Sequence, residues 1–382
     1  MGSTTPKLDT TARRRRRETP GGRALQRCGA LAVALHMAGA AAAEAPGGAP
    51  PGGPTALQAS LRLDVEAIDA LRGGIDPGVT GDAVLYGAIR IEGSAVGLPA
   101  GSRIRVAFDR VQGGSASASR IGAVQSVSNI EADARSRLSE VWYGQRVGAG
   151  WDLRAGLIAV DAHFDTVDSA GLLLNSSFGA QPSWSANSLS LFYPSSGVGV
   201  LASHRRGAWT QRAGLFQADP GDRSGGMRRG PMLLGETAWR SAPGVGVKLG
   251  LWGWRGRGMQ DLDLPSPAWG GWVALERGLG DDGAPGAFVR AGWSSSSRAF
   301  VHSDLQAGVL LRSPLRPADR VSAGVARAAL RGVEPETVYE LGYRVAISRH
   351  AWLQPDLQYL RHPAGHLPDA TVAMLRLHME LE

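Results

Sequence analysis

The sequence predicts an all-β chain: a closed antiparallel transmembrane β-barrel of about 16 strands with a long loop folded into the lumen. Three observations carry that expectation. Short apolar/polar alternation recurs along most of the chain, turn residues interrupt it at regular intervals, and beyond the N-terminus no apolar run is long enough for a membrane helix. The segments from the N-terminus onward each add to this reading.

The first 43 residues read as an export signal. They hold Lys7, Arg13 to Arg17, Arg23 and Arg27 against Asp9 and Glu18, followed by an Ala-rich apolar run from Cys28 to Ala43. Small residues before Glu44 suit signal-peptidase cleavage there, and the run is short for a bilayer span of about 20 residues. The lone cysteine, Cys28, falls inside this segment, so the mature chain has no thiol for disulfides, thiolate metal sites or nucleophilic catalysis. Residues 44–55 (EAPGGAPPGGPT) form a Pro/Gly-rich flexible lead-in. Residues 56–382 are the barrel domain.

The pI near 10.1 first suggests a nucleic-acid partner, but the charge is misplaced for one. Beyond residue 43 there are 33 Lys/Arg and 32 Asp/Glu, a balanced set with no net basic face. No nucleic acid is expected to bind.

The strand signature is period 2. Leu61, Leu63 and Val65 alternate with Arg62, Asp64 and Glu66. Ile104, Val106 and Phe108 alternate with Arg103, Arg105 and Asp109. The last stretch sets Leu375, Leu377, Met379 and Leu381 against Arg376, His378, Glu380 and Glu382. A soluble sandwich also alternates, but here the polar positions are often charged and the spacing allows about 16 strands, which suits a tilted membrane barrel. Lipid offers no partner for free N–H and C=O groups, so such a sheet must close on itself. The apolar set then faces lipid and the charged set an aqueous lumen. Tyr86, Trp142, Tyr143, Trp272, Trp293 and Tyr359 sit near strand ends and suit interfacial girdles.

One stretch breaks the rhythm. From His163 to Ser196 the chain reads HFDTVDSAGLLLNSSFGAQPSWSANSLSLFYPSS without sustained alternation. A loop of this length in a compact domain is usually functional, and in a barrel it can narrow the lumen.

Catalytic motifs are missing. There is no G-x-S-x-G, H-E-x-x-H or GxxxxGK[ST], so no enzyme activity, cofactor or metal is expected. His362 and His366 are four apart, but Pro363 and Gly365 place them in a turn.

Two blocks resemble a known family. LRAGLIAVDAHFD (153–165), LLLNSSFGAQPSWSAN (172–187), Tyr193-Pro194 and GVGV together are similar to the most recognisable block of the carbohydrate-selective porins, the OprB family. The segment from Glu336 to Gly365 resembles that family's penultimate strands, and weaker similarity covers nearly all the mature chain. The chain departs from outer-membrane barrels in general by ending Met379-Glu380-Leu381-Glu382 instead of on an aromatic, and it is compact for the family, which implies short outer loops. The resemblance implies a 16-stranded outer-membrane barrel through which monosaccharides such as glucose diffuse into the periplasm. Its implied partners are those sugars, membrane lipid, the barrel assembly machinery and a possible second copy of the chain. A general or organic-anion porin, and a non-transporting structural or lectin-like exported β protein, are the alternatives.

Selective passage of sugars needs hydrogen-bonding groups and an apolar face, bound weakly enough to let go. Arg154, Asp161, Asp165 and Asp168 are candidates for the polar part of a constriction, with Asn175, Trp184 and Asn187 adding amide contacts and a stacking face. Arg62, Arg90, Arg105, Arg344 and Arg376 fall at expected lumen-wall positions.

Overall fold

The computed structural model describes residues 56–381 except 190, 242–243, 257–263 and 279–285. The expected signal and lead-in therefore lie outside the described residues. Sixteen antiparallel strands close into one barrel among them: β1 (Leu57–Arg72), β2 (Gly78–Glu92), β3 (Ser102–Gln112), β4 (Arg135–Val147), β5 (Trp151–Ile158), β6 (Gly197–Arg206), β7 (Trp209–Gln217), β8 (Pro231–Ser241), β9 (Val245–Trp254), β10 (Ala268–Arg277), β11 (Gly286–Ser294), β12 (Val301–Arg312), β13 (Arg320–Leu330), β14 (Glu336–Ser348), β15 (Ala351–Arg361) and β16 (Ala370–Leu381). Each strand pairs with its sequence neighbours, and β16 returns to β1 in the register Leu61↔Leu381 through Ala70↔Val372. Closure satisfies every strand edge in a setting where water cannot.

The two faces sort by parity, as the alternation demands. On β1, Leu61 and Val65 are exposed while Asp64, Glu66 and Ile68 are buried. Leu249, Leu251, Leu341 and Leu375 continue the exposed apolar face around the barrel. Charged side chains buried on a strand of an eight-to-sixteen-residue wall can only be the inward set, opposite these apolar residues.

The girdle expectation holds for some aromatics and fails for others. Tyr143 and Trp293 are exposed on the outer face, joined by Trp151, Trp209, Trp269 and Tyr339. Trp142 and Trp272 are buried, and Tyr86 donates a hydrogen bond to Glu140 on the inner face. Their parity, shared with inward Glu140 and Ala274, decides this; nearness to a strand end does not.

Turns at the end bearing the chain termini are short, such as 148–150, 207–208 and 349–350. At the other end the connections 113–134 and 159–196 are long. The second arises because β5 pairs with β4 only over Val141–Val147 before the chain leaves the wall at Ile158.

Candidate functional site

Among the described residues of 159–196 there is no strand ladder, so their buried amides need other acceptors. Two one-turn helices organise the segment: α1 (Ser176–Gly179), capped by Asn175 accepting the Ser177 N–H at 3.1 Å, and α2 (Pro182–Ser185), with Pro182 in its first turn. The wall supplies carboxylates on alternate strands. Glu236 on β8 accepts the Asp165 N–H at 2.9 Å, and Glu276 on β10 accepts that of Asp168 at 2.9 Å. Asp304 on β12 accepts the Ser183 N–H at 3.0 Å, and Glu340 on β14 accepts those of Leu174 and Asn175. Intervening strands donate. Lys248 on β9 bonds Thr166, Arg290 on β11 bonds the Asp165 carbonyl at 2.8 Å, and Gln354 on β15 bonds the Leu172 carbonyl at 2.7 Å. Apolar contacts add to this: Trp184 stacks on Trp272 with centroids 5.5 Å apart and planes 5° apart, and Phe178 meets Phe288 edge-on. The segment thus lies against β8 to β15.

The inner face of β1 to β7 borders two cavities. One, of about 640 Å³, opens beside Gln58, Gly150 and Glu380 at the end bearing the termini. Every strand from β1 to β7 sends an arginine to its lining: Arg62, Arg90, Arg103 with Arg105, Arg146, Arg154, Arg205 and Arg212. The lining carboxylates are Glu140, Asp152, Asp168 and Glu380. The second cavity, of about 760 Å³, lies toward the long connections, with Asn129 and Ile130 on its border.

The two cavities share Arg62, Tyr86, Arg105, Glu140, Ala162, Thr166 and Glu380, so they meet there. This junction is braced by charge and hydrogen bonds. Arg105 Nε lies 2.9 Å from Glu140 Oε1, its Nη2 donates to Tyr86 Oη at 2.8 Å, and Tyr86 donates to Glu140 at 3.2 Å. The Arg62 guanidinium sits 5.3 Å from the Tyr86 ring centroid. Also on the border of the second cavity, Arg344 lies 3.9 Å over Trp352, which stacks on His378 at 4.5 Å.

A sequence profile described as carbohydrate-selective porin, OprB family, matches residues 93–381. The chain belongs to that family. This OprB-family porin is also similar in fold to a high-pH structure of Pseudomonas putida OprB, with a TM-score of 0.76 at 17% identity over 85% of this chain and 94% of that one. It resembles a mutant Rh. blastica porin at a TM-score of 0.56, with 13% identity over 85% of this chain and all of the other. No curated protein matches by sequence. The barrel is therefore an outer-membrane channel for carbohydrates, with the expected closed fold.

The candidate residues of this porin separate into two groups. Arg154 lines the first cavity, its Nε 2.9 Å from Asp152, its Nη1 3.2 Å from His163 Nε2 and its guanidinium 4.6 Å over Trp142. Asp168 also lines it and meets Arg240 at 2.8 Å. Asp161 borders the second cavity, where its carboxylate accepts the Tyr193 N–H at 2.8 Å and burial pushes its pKa up to about 6. Asp165, Asn175, Trp184 and Asn187 need correcting as solute contacts, because all four are fully buried in protein. Asn187, for example, donates to the Ser183 and Val301 carbonyls at 2.7 and 2.6 Å. Burial pushes Asp165 up to about 7 even against Arg290, 3.2 Å away. Burial first, then Arg154, Arg212 and Arg105, drives His163 down to about 3, so a neutral imidazole accepts from Arg154.

Arg62, Arg90 and Arg105 line the first cavity; Arg62, Arg105, Arg344 and Arg376 line the second. Arg376 is buried and fixed by Glu66 at 2.8 Å. Sequence reading missed Arg103, Arg146, Arg205, Arg212 and Glu140 in the cavity lining, although each lies on the polar parity of its strand. It also missed Glu236, Glu276, Asp304 and Glu340 as the acceptors that hold the segment.

Proposed function

We propose that monosaccharides such as glucose cross this porin between the arginine-bearing wall of β1–β7 and the segment 159–196, which narrows the lumen. The observation that carries this reading is the shared border of the two cavities, where Arg62, Tyr86, Arg105 and Glu140 on the wall meet Ala162 and Thr166 of the segment. A sugar hydroxyl both donates and accepts, so arginine forks and the Glu140 carboxylate can replace part of its water shell. The Tyr86 ring suits its C–H surface, whereas Trp352 is sandwiched between Arg344 and His378. Such contacts are individually weak, and a series of them permits entry and release.

Arg154 and Asp168 extend this path toward the terminus-bearing end, which faces the periplasm in this reading. Residues 1–43 act as the export signal and 44–55 as its lead-in, after which the barrel assembly machinery inserts the strands into lipid. Liposome swelling tests the proposal: vesicles carrying the purified barrel should swell faster in glucose than in a disaccharide of equal osmolarity. Equal rates for both, or no rate above protein-free vesicles, would refute it.

A further inference from the structure

We propose that the favoured solutes include sugar acids, monosaccharides bearing one carboxylate, and that the arginine wall recognises that group. The inference rests on the sugar-channel reading above and names a solute class within it.

Its basis is how the ion pairs face the water. Side-chain exposure is 39% for Arg62 against 6% for its partner Asp64, 26% for Arg105 against 8% for Glu140, and 16% for Arg212 against 0% for Glu236. In these three pairs the guanidinium is forward and the carboxylate behind; Asp152 reverses the order, at 19% against 3% for Arg103 and 13% for Arg154, yet eight arginines share the lining with four carboxylates. Arg146 lines the same cavity, and among the described residues no carboxylate lies within ion-pair distance of it. Across the lumen, the wall carboxylates Glu276, Asp304 and Glu340 are buried beneath the segment and already accept its amides. A solute beside this wall therefore meets an excess of N–H donors and positive charge.

Arginine has five donors and no acceptor, so a neutral hydroxyl can only accept from it. A carboxylate accepts as well, carries a full charge and fits the fork through two parallel bonds. Hydrogen bonds to a charged group contribute more than neutral ones by a margin worth about tenfold in affinity. Low-dielectric walls concentrate the positive field inside the lumen, and salt screens it over about 10 Å at 0.1 M.

The test is block of ion current through the purified full-length barrel in planar bilayers, titrated separately with glucose, glucuronate and lactate. Glucuronate should half-block at about one tenth of the glucose concentration in 0.1 M KCl, with the gap narrowing in 1 M KCl. Lactate, charged but without the sugar ring, should block more weakly than glucuronate. The Arg62→Gln/Arg105→Gln/Arg212→Gln variant should bring glucuronate to parity with glucose. Arg146→Gln alone should narrow the gap if the triple variant fails to assemble. Glucuronate blocking no better than glucose, lactate matching glucuronate, or an undiminished advantage in the assembled variants would each overturn the inference. With glucose still blocking, such a failure leaves the sugar-channel reading standing; loss of block by both sugars would remove that reading as well.

Discussion

Glu340 on β14 accepts the backbone N–H of Asn175 at 2.9 Å, and that of Leu174 beside it, tying the far wall to a segment that leaves the sheet after β5. Both amides are buried. Glu340→Ala strands two N–H groups at about 1–3 kcal/mol each. Released segment should raise single-channel conductance and expose residues 165–187 to protease, while the barrel still migrates as a folded species before heating. Glu340→Gln keeps an acceptor and should change both readouts less.

Trp184 provides the apolar counterpart through its stack on Trp272 and its edge contact with Phe192 at 4.3 Å. Trp184→Ala removes a fully buried ring, a change of about 3–5 kcal/mol in packed interiors. Near-ultraviolet circular dichroism should lose the signal of the stacked pair, and the segment should become a protease target. An unchanged spectrum would mean that the stack is not the anchor.

Gly292 on β11 tests the same docking by steric means, without removing a charged group. A Cβ there would lie 1.9 Å from Gln181 Oε1 and 2.5 Å from Ser183 Oγ. Gly292→Ala should therefore displace α2 and increase conductance, whereas Gly235→Ala on β8, where a Cβ meets nothing within 4 Å, should not.

His163 and Asp165 give docking opposite responses to pH. The docked segment depresses His163 to about 3 from 6.5, so the released form binds the extra proton between those values. That contribution is present above about 6.5 and is lost as pH falls toward 3. Asp165 is raised from 3.8 to about 7, so its contribution is present below about 3.8 and is lost as pH rises toward 7. In His163→Asn the second remains, reinforced by Asp161, which burial raises to about 6. The urea concentration that releases the segment, followed by tryptophan fluorescence, should then be higher at pH 4.5 than at pH 7.5. A lower midpoint at pH 4.5 would contradict the assignment.

Much of the barrel was legible because lipid imposes a strict period. Leu61 and Arg62 occupy opposite faces for the same reason that Phe108 and Asp109 do, and about 16 strands fit the spacing. Parity also placed Arg62, Arg90 and Arg105 on the cavity wall. The segment 159–196 was legible as an interruption, but its side chains were not. It has no period to say whether Trp184 faces water or Trp272. Asn187 reads as a sugar-binding amide until Val301 and Phe300 are seen to occupy it. Glu236, Glu276, Asp304 and Glu340 carry no sequence signal of their role, because their partners are backbone amides far away in sequence. Trp142 and Trp272 show the same limit for the girdles, since the expectation weighed nearness to strand ends above parity.

A sugar that passes the junction of Arg62, Tyr86, Arg105 and Glu140 must obstruct ion flow there. Glucose titrated against the ion current of single barrels, in the native chain and in Tyr86→Ala/Arg105→Ala, tests it most directly. The native barrel should show a saturable fall in current and the variant a markedly weaker one. Current indifferent to glucose in the native barrel, or the same block in both, would contradict it.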